Sequence, residues 1–97
     1  NDYLQTYNIS MAFMACTGVT MKSGLTNASA EEYITKKAIA ENANSMILLA
    51  DHSKFGRISL MTYSPMEKLD AIVTDQPLPE EYDSFCQEHG IRVMTID

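Results

Sequence analysis

The chain has 97 residues, 45% of them hydrophobic and 21% charged, a globular mixture too apolar for a disordered segment. Seven Lys and Arg stand against thirteen Asp and Glu, for a formal charge of −6. Phosphate backbones need clustered basic residues, so a nucleic-acid surface on this segment is disfavoured. No apolar run approaches the ~20 residues of a membrane span, and no charged region of a secretory signal opens the chain. No membrane partner is expected. A chain of this length makes one domain at most, burying roughly two-thirds of its unfolded surface.

Cys16 and Cys86 are too few for a disulfide framework and read as buried free thiols of a reducing cytoplasm. His52 and His89 have no Cys or His neighbour at ligand spacing, so neither a metal nor a cofactor is expected. The chain opens Asn1-Asp2-Tyr3 without a methionine, which suggests a piece of a longer protein.

In chain order, Asn1 to Tyr7 suits the last turn of a helix begun upstream. Ile9 to Ala15 is nearly all apolar, as in a strand covered on both faces of a parallel sheet. Gly18 and Gly24 punctuate a loop. Ser29-Ala30-Glu31-Glu32 has the form of a capping box, opening a helix to about Ala43. Its apolar stripe (Thr35, Ala38, Ile39, Ala43) is narrow. Met46 to Ala50 is a second buried strand, ending at Asp51. Arg57 to Tyr63 suits an extended piece, and Pro65 to Leu69 a single helical turn with Pro at its first position. Ala71 to Thr74 is the third buried strand, ending at Asp75. Pro79-Glu80-Glu81 starts another helix, with acids at the positive end of its dipole, and Gly90 stops it. Ile91 to Ile96 closes the chain as a strand. The alternation predicts an α/β fold, a mostly parallel sheet with helices on both faces. Ligands of such folds sit outside the carboxyl ends of the strands. Here those ends are Thr17-Gly18, Asp51 to Gly56, and Asp75.

Asp51-His52-Ser53-Lys54-Phe55-Gly56 is the most informative segment. It sets a carboxylate, an imidazole, a hydroxyl and an ammonium directly after a buried strand. Lysine beside backbone N–H groups suits a phosphate or carboxylate. A polar surface loop with a solvated Lys54 is the competing reading.

These residues resemble a family. Leu48-Leu49-Ala50-Asp51-His52-Ser53-Lys54-Phe55-Gly56 is similar to the "LLADxSKFG" signature of the sensor domain of DeoR-type bacterial transcriptional repressors. Ala12-Phe13 to Gly18 resembles their "aFxxxxG", Gly24-Leu25-Thr26 their "GLT", and Glu31-Glu32 through Lys36 and Ala38 their "EExxxKxA". Ile72 to Asp75 resembles "xITD", and Gly90-Ile91 with Val93 "GIxV". The resemblance covers essentially the whole chain.

The resemblance implies a sensor with the fold of ribose-5-phosphate isomerases and CoA transferases, which binds a phosphorylated sugar and alters DNA binding by an N-terminal helix-turn-helix. Residues 1–97 would then be the C-terminal portion of the sensor. The helix-turn-helix that meets operator DNA is absent from this chain, and so is the first part of the sensor. Homo-oligomers are expected. Among subfamilies the lean is towards lactose phosphotransferase-system repressors, with tagatose 6-phosphate as effector.

The rival is an isomerase of the same fold. Those enzymes share a similar "DxSK" turn but carry an acidic "DGAD" stretch where this chain reads Ala15-Cys16-Thr17-Gly18. Isomerisation needs a base, and Glu32 at a helix start could still be one. A binding module is the better reading, without catalytic residues.

Each candidate ligand contact has a plainer alternative. Lys54 would face the phosphate, or be solvated. Ser53 would donate to the same anion, or cap the turn. Asp51 would accept from sugar hydroxyls, or brace the loop. Thr17 and Gly18 would let the backbone approach a ligand, or Gly18 would serve a turn. Glu32 and Lys36 would face the crevice, or form a helix ion pair worth ~0.2–0.5 kcal/mol. Asp75 reads as a structural cap, and Met11, Met14, Met46, Met61 and Met94 as core.

Overall fold

The structure, a computed structural model, describes residues 9–96. The turn expected at Asn1 to Tyr7 lies outside the described residues. The elements are β1 (Ile9–Met14), β2 (Gly18–Thr20), β3 (Gly24–Asn27), α1 (Ala30–Asn42), β4 (Ala43–Leu49), a 3-10 turn (His52–Lys54), β5 (Met61–Ser64), a second 3-10 turn (Met66–Lys68), β6 (Ala71–Thr74), α2 (Glu80–His89) and β7 (Arg92–Thr95). Strands β1, β4, β6 and β7 form a parallel sheet in that order. Strands β2, β3 and β5 form a small antiparallel sheet. The chain is α/β with a mostly parallel sheet and two helices.

Local chemistry sets the helix ends. The Ser29 hydroxyl accepts from the Glu32 backbone N–H at 3.3 Å, satisfying a donor that the first turn of α1 leaves free. Helix α1 buries only the small residues Ala38 and Ala40, which accounts for its narrow stripe. Helix α2 follows Pro79, carries Glu80, Glu81 and Asp83 in its first turn, and stops at left-handed Gly90. Its Tyr82 and Cys86 enter the same core as Met14, Leu48 and Ile72 of the parallel sheet.

Two features depart from the sequence reading. The stretch taken as a glycine-punctuated loop contains β2 and β3. They have three and four residues, buried throughout, so they show no alternation to read. Glycine at position 18 is required by packing: a Cβ there would lie 2.3 Å from the Arg57 carbonyl oxygen. The crossing of two backbones explains this glycine without a ligand.

The second departure concerns cover. On one face of the parallel sheet Ala12, Met14, Met46, Leu48 and Ile72 are buried. On the other, Met11, Phe13, Leu49 and Met94 are exposed. The expectation of strands covered on both faces, with helices on each, is therefore met on one face only. The cause is topological. The strand order β1-β4-β6-β7 advances in one direction, and right-handed crossovers of a one-way sheet all land on the same face.

Replacing Gly18 by Ala drives a methyl group against a backbone carbonyl. The variant is expected to lose about 1–3 kcal/mol of stability, the usual range for overpacking. Urea unfolding of the two proteins checks this, and an unchanged midpoint would mean that the backbones can part freely.

Candidate functional site

All four parallel strands point their carboxyl ends to one rim, the place where parallel sheets present ligands. The segment after β4 occupies the middle of that rim, between the ends of β1 and β6. Ala50 is still held to the sheet, its N–H donating to the Val73 carbonyl at 3.1 Å. Asp51 then caps the 3-10 turn. Its Oδ1 accepts from the Ser53 backbone N–H at 2.8 Å and from the Ser53 hydroxyl. These bonds hold the Asp51 carboxyl below its usual range, the side-chain bond from Ser53 contributing most.

The far end of the loop is tied to the small sheet. The Gly56 N–H donates to the Val19 carbonyl at 2.9 Å, beside a parallel bridge between Val19 and Phe55. The Phe55 ring meets Tyr82 edge-on, with centroids 5.8 Å apart. Gly56 turns the chain at φ +91°, a conformation that L side chains rarely adopt.

An unforeseen pair links this loop to β6. Asp75 accepts from the His52 backbone N–H at 2.7 Å through Oδ1, and its Oδ2 lies 2.9 Å from His52 Nδ1. The His52 side chain holds the Asp75 carboxyl below its usual range. From the sequence Asp75 reads only as a cap, and His52 has no evident partner. Asp75 follows β6 directly and His52 lies three residues past the end of neighbouring β4, which is the available signal.

Lys54 is half-buried, and its Nζ has no hydrogen bond or ion pair among the described residues. It lies close enough to buried Cys16 to act on its thiol. Burial pushes that thiol up to about 11, against the opposing pull of Lys36 and then Lys54. Thr17 is exposed at the end of β1, its N–H held by the Thr26 carbonyl at 2.9 Å.

Glu32 and Lys36 belong to a different arrangement. Lys36 Nζ donates to the Ala15 carbonyl and to Asn27 Oδ1, each at 2.8 Å. The Ala15 carbonyl also accepts from the Tyr63 hydroxyl at 2.7 Å. Glu32 Oε1 lies 3.7 Å from Lys36 Nζ and accepts from Asn27 Nδ2 at 3.3 Å. The ammonium is thus a strut joining α1 to the end of β1. Gly18, already explained by packing, is buried.

A cleft of about 510 Å³ opens at the rim, lined by Leu49, Ala50, Asp51, Val73, Thr74, Asp75 and Ile96. Its floor is apolar and its charges are two carboxylates. Lys54 does not line it. Two carboxylates make this cleft a poor place for an anion. Among the described residues there is no group of three or more His, Cys, Asp or Glu suited to a metal ion.

A one-way parallel sheet with a braced polar turn at its rim makes this an α/β domain whose rim is the usual place for a ligand. Residues 1–76 match the DeoR C terminal sensor domain, and the chain belongs to this family. Similar proteins include the HTH-type transcriptional regulator IolR of Bacillus subtilis, 52% identical over 93% of this chain and 36% of that protein. The glycerol-3-phosphate regulon repressor of Escherichia coli is 28% identical over 95% of this chain and 36% of its own length. The HTH-type transcriptional repressor GlcR of Bacillus subtilis is 26% identical over 99% and 37%. The chain therefore spans little more than a third of these relatives. They are regulators and repressors, and the chain belongs with them and not with enzymes. The lean towards lactose repressors gains no support from these relatives. No helix among the described residues is long and apolar enough to cross a membrane.

Because their folded-state pKa values are lowered, Asp51 and Asp75 brace the loop fully above the usual 3.8. That support is lost as pH falls through the lower folded-state values. Following the Ser53 amide by NMR during acid titration should place the Asp51 midpoint below 3.8. Ser53→Ala should move it upward, whereas an unmoved midpoint would mean that the hydroxyl does not hold the carboxylate.

Proposed function

We propose that this chain is the effector-sensing part of a DeoR-type repressor of sugar metabolism, and that it binds a phosphorylated sugar through Lys54. One observation carries the reading. Within Asp51 to Gly56, Asp51 and Ser53 cap the turn, His52 pairs with Asp75, Phe55 packs on Tyr82 and Gly56 bends the chain. Lys54 alone has no such structural task among the described residues, and a lysine at a strand end suits a phosphate. Asp51, on the cleft side, suits the hydroxyl groups of the sugar. Thr17 stands at the Lys54 side of the rim, while Ser53 assists by holding Asp51. Glu32 and Lys36 support the end of β1 without meeting the ligand.

A phosphorylated effector fits the name of one relative, the glycerol-3-phosphate regulon repressor. Tagatose 6-phosphate, ribose 5-phosphate and glycerol 3-phosphate are the probes to compare. In this proposal operator DNA is met by a helix-turn-helix outside these 97 residues, in a cytoplasmic regulator, and effector binding alters its grip.

The intact regulator is proposed to be a homo-oligomer. The cover proposed for Met11, Phe13, Leu49 and Met94, which are exposed among the described residues, is a second copy, sheet face on sheet face about 10 Å apart. Sedimentation should show concentration-dependent self-association, weakened by Phe13→Glu. A strictly monomeric profile at high concentration would refute this.

A charge-assisted contact to phosphate is worth ~1.5–3 kcal/mol. Lys54→Ala in the intact protein should therefore weaken binding of the best phosphorylated probe by roughly tenfold to a hundredfold. The fold should persist, since surface substitutions usually change stability by no more than about 0.5 kcal/mol. Calorimetric titration measures the effect, and equal affinities would remove Lys54 from the site.

A further inference from the structure

We infer that Asp75 is a positioning residue for effector binding, acting on Lys54 through His52; the inference rests on the function proposed above. Both oxygens of this carboxylate are spent on one residue. Oδ1 accepts from the His52 backbone N–H at 2.7 Å, and Oδ2 stands 2.9 Å from the His52 ring nitrogen Nδ1. Thr74 Oγ1 lies 3.4 Å from Oδ1, so the carboxylate is itself steadied from β6.

His52 opens the turn that ends at Lys54. The turn is closed by the Lys54 N–H donating to the Asp51 carbonyl at 3.1 Å and the Phe55 N–H donating to the His52 carbonyl at 3.3 Å. Fixing the main chain of His52 therefore fixes the frame from which the Lys54 stem departs. Asp51 holds the same turn from inside, through Ser53, but that bond moves with the loop. Asp75 is different because it stands on the neighbouring strand, and it refers the turn to the sheet. Without it the turn can still form, anchored at Phe55 and Gly56, but its position over the rim is no longer set. Binding must then supply the ordering that the carboxylate provides in advance.

The test is a double-mutant cycle by calorimetric titration in the intact protein, using the tightest-binding of glycerol 3-phosphate, ribose 5-phosphate and tagatose 6-phosphate. Asp75→Ala should weaken binding by about three- to tenfold, the effect of leaving a side chain and its turn to be ordered on binding. In a Lys54→Ala background the same change should cost little further, because the residue it positions is gone. Asp75→Asn should restore most of the affinity, since the amide oxygen still accepts from the His52 N–H. Full affinity in Asp75→Ala would overturn the inference. So would an equal loss with and without Lys54, which would mean that Asp75 meets the sugar directly or only stabilises the fold. If the wild type binds none of the probes, the proposed function falls and this inference falls with it. Wild-type binding with Asp75→Ala unchanged sinks the inference alone.

Discussion

Right-handed crossover in a sheet that advances one way is the constraint on which this structure depends. Each crossover between parallel strands returns on the same side when the strand order never reverses. From that follow the single buried face, the single core shared by both helices, and the exposed Met11, Phe13, Leu49 and Met94. It also follows that the carboxyl ends of β1, β4 and β6 lie side by side, with the β4 loop in the middle. The site is a consequence of chain order before any particular side chain is considered.

Side chains then determine what the rim can do. The loop after β4 is braced at three points: to β6 through Asp75, to itself through Asp51 and Ser53, and to the small sheet through Phe55 and Gly56. A separate strut, Lys36 on the Ala15 carbonyl, steadies the neighbouring end of β1. Two lysines thus approach the same rim with different tasks, one with three polar partners and one with none among the described residues. Lys36 and Lys54 both pull the Cys16 thiol down, but its burial outweighs them and holds it above its usual range.

Much of this was legible in the residues. Strand β6 occupies the four residues read for it, because a short apolar run between turn signals admits few other structures. The Ser29 cap fixed the start of α1 although its stripe was weak. Strand β4 begins three residues earlier than read, at Ala43, because pairing with β1 extends it through polar Asn44 and Ser45. Strands β2 and β3 are hard to read because they are only three and four residues long and buried throughout, and the second partner of β3, β5, lies far along the chain. The Asp75–His52 pair, 23 residues apart, could be seen only by laying β6 beside β4. The bare face was hidden for the same reason: an apolar run does not tell which of its sides is covered.

The central claim is that the anion of the effector is met at the carboxyl end of β4. Backbone amide NMR on the intact protein, titrated with a phosphorylated sugar and separately with its unphosphorylated parent, tests this most directly. The account predicts that the phosphorylated form shifts the amides of Ser53 to Gly56 and Thr17, and that the parent sugar leaves them largely unmoved. Saturable shifts confined to α1 around Glu32 and Lys36, or to the small sheet away from the rim, would contradict it.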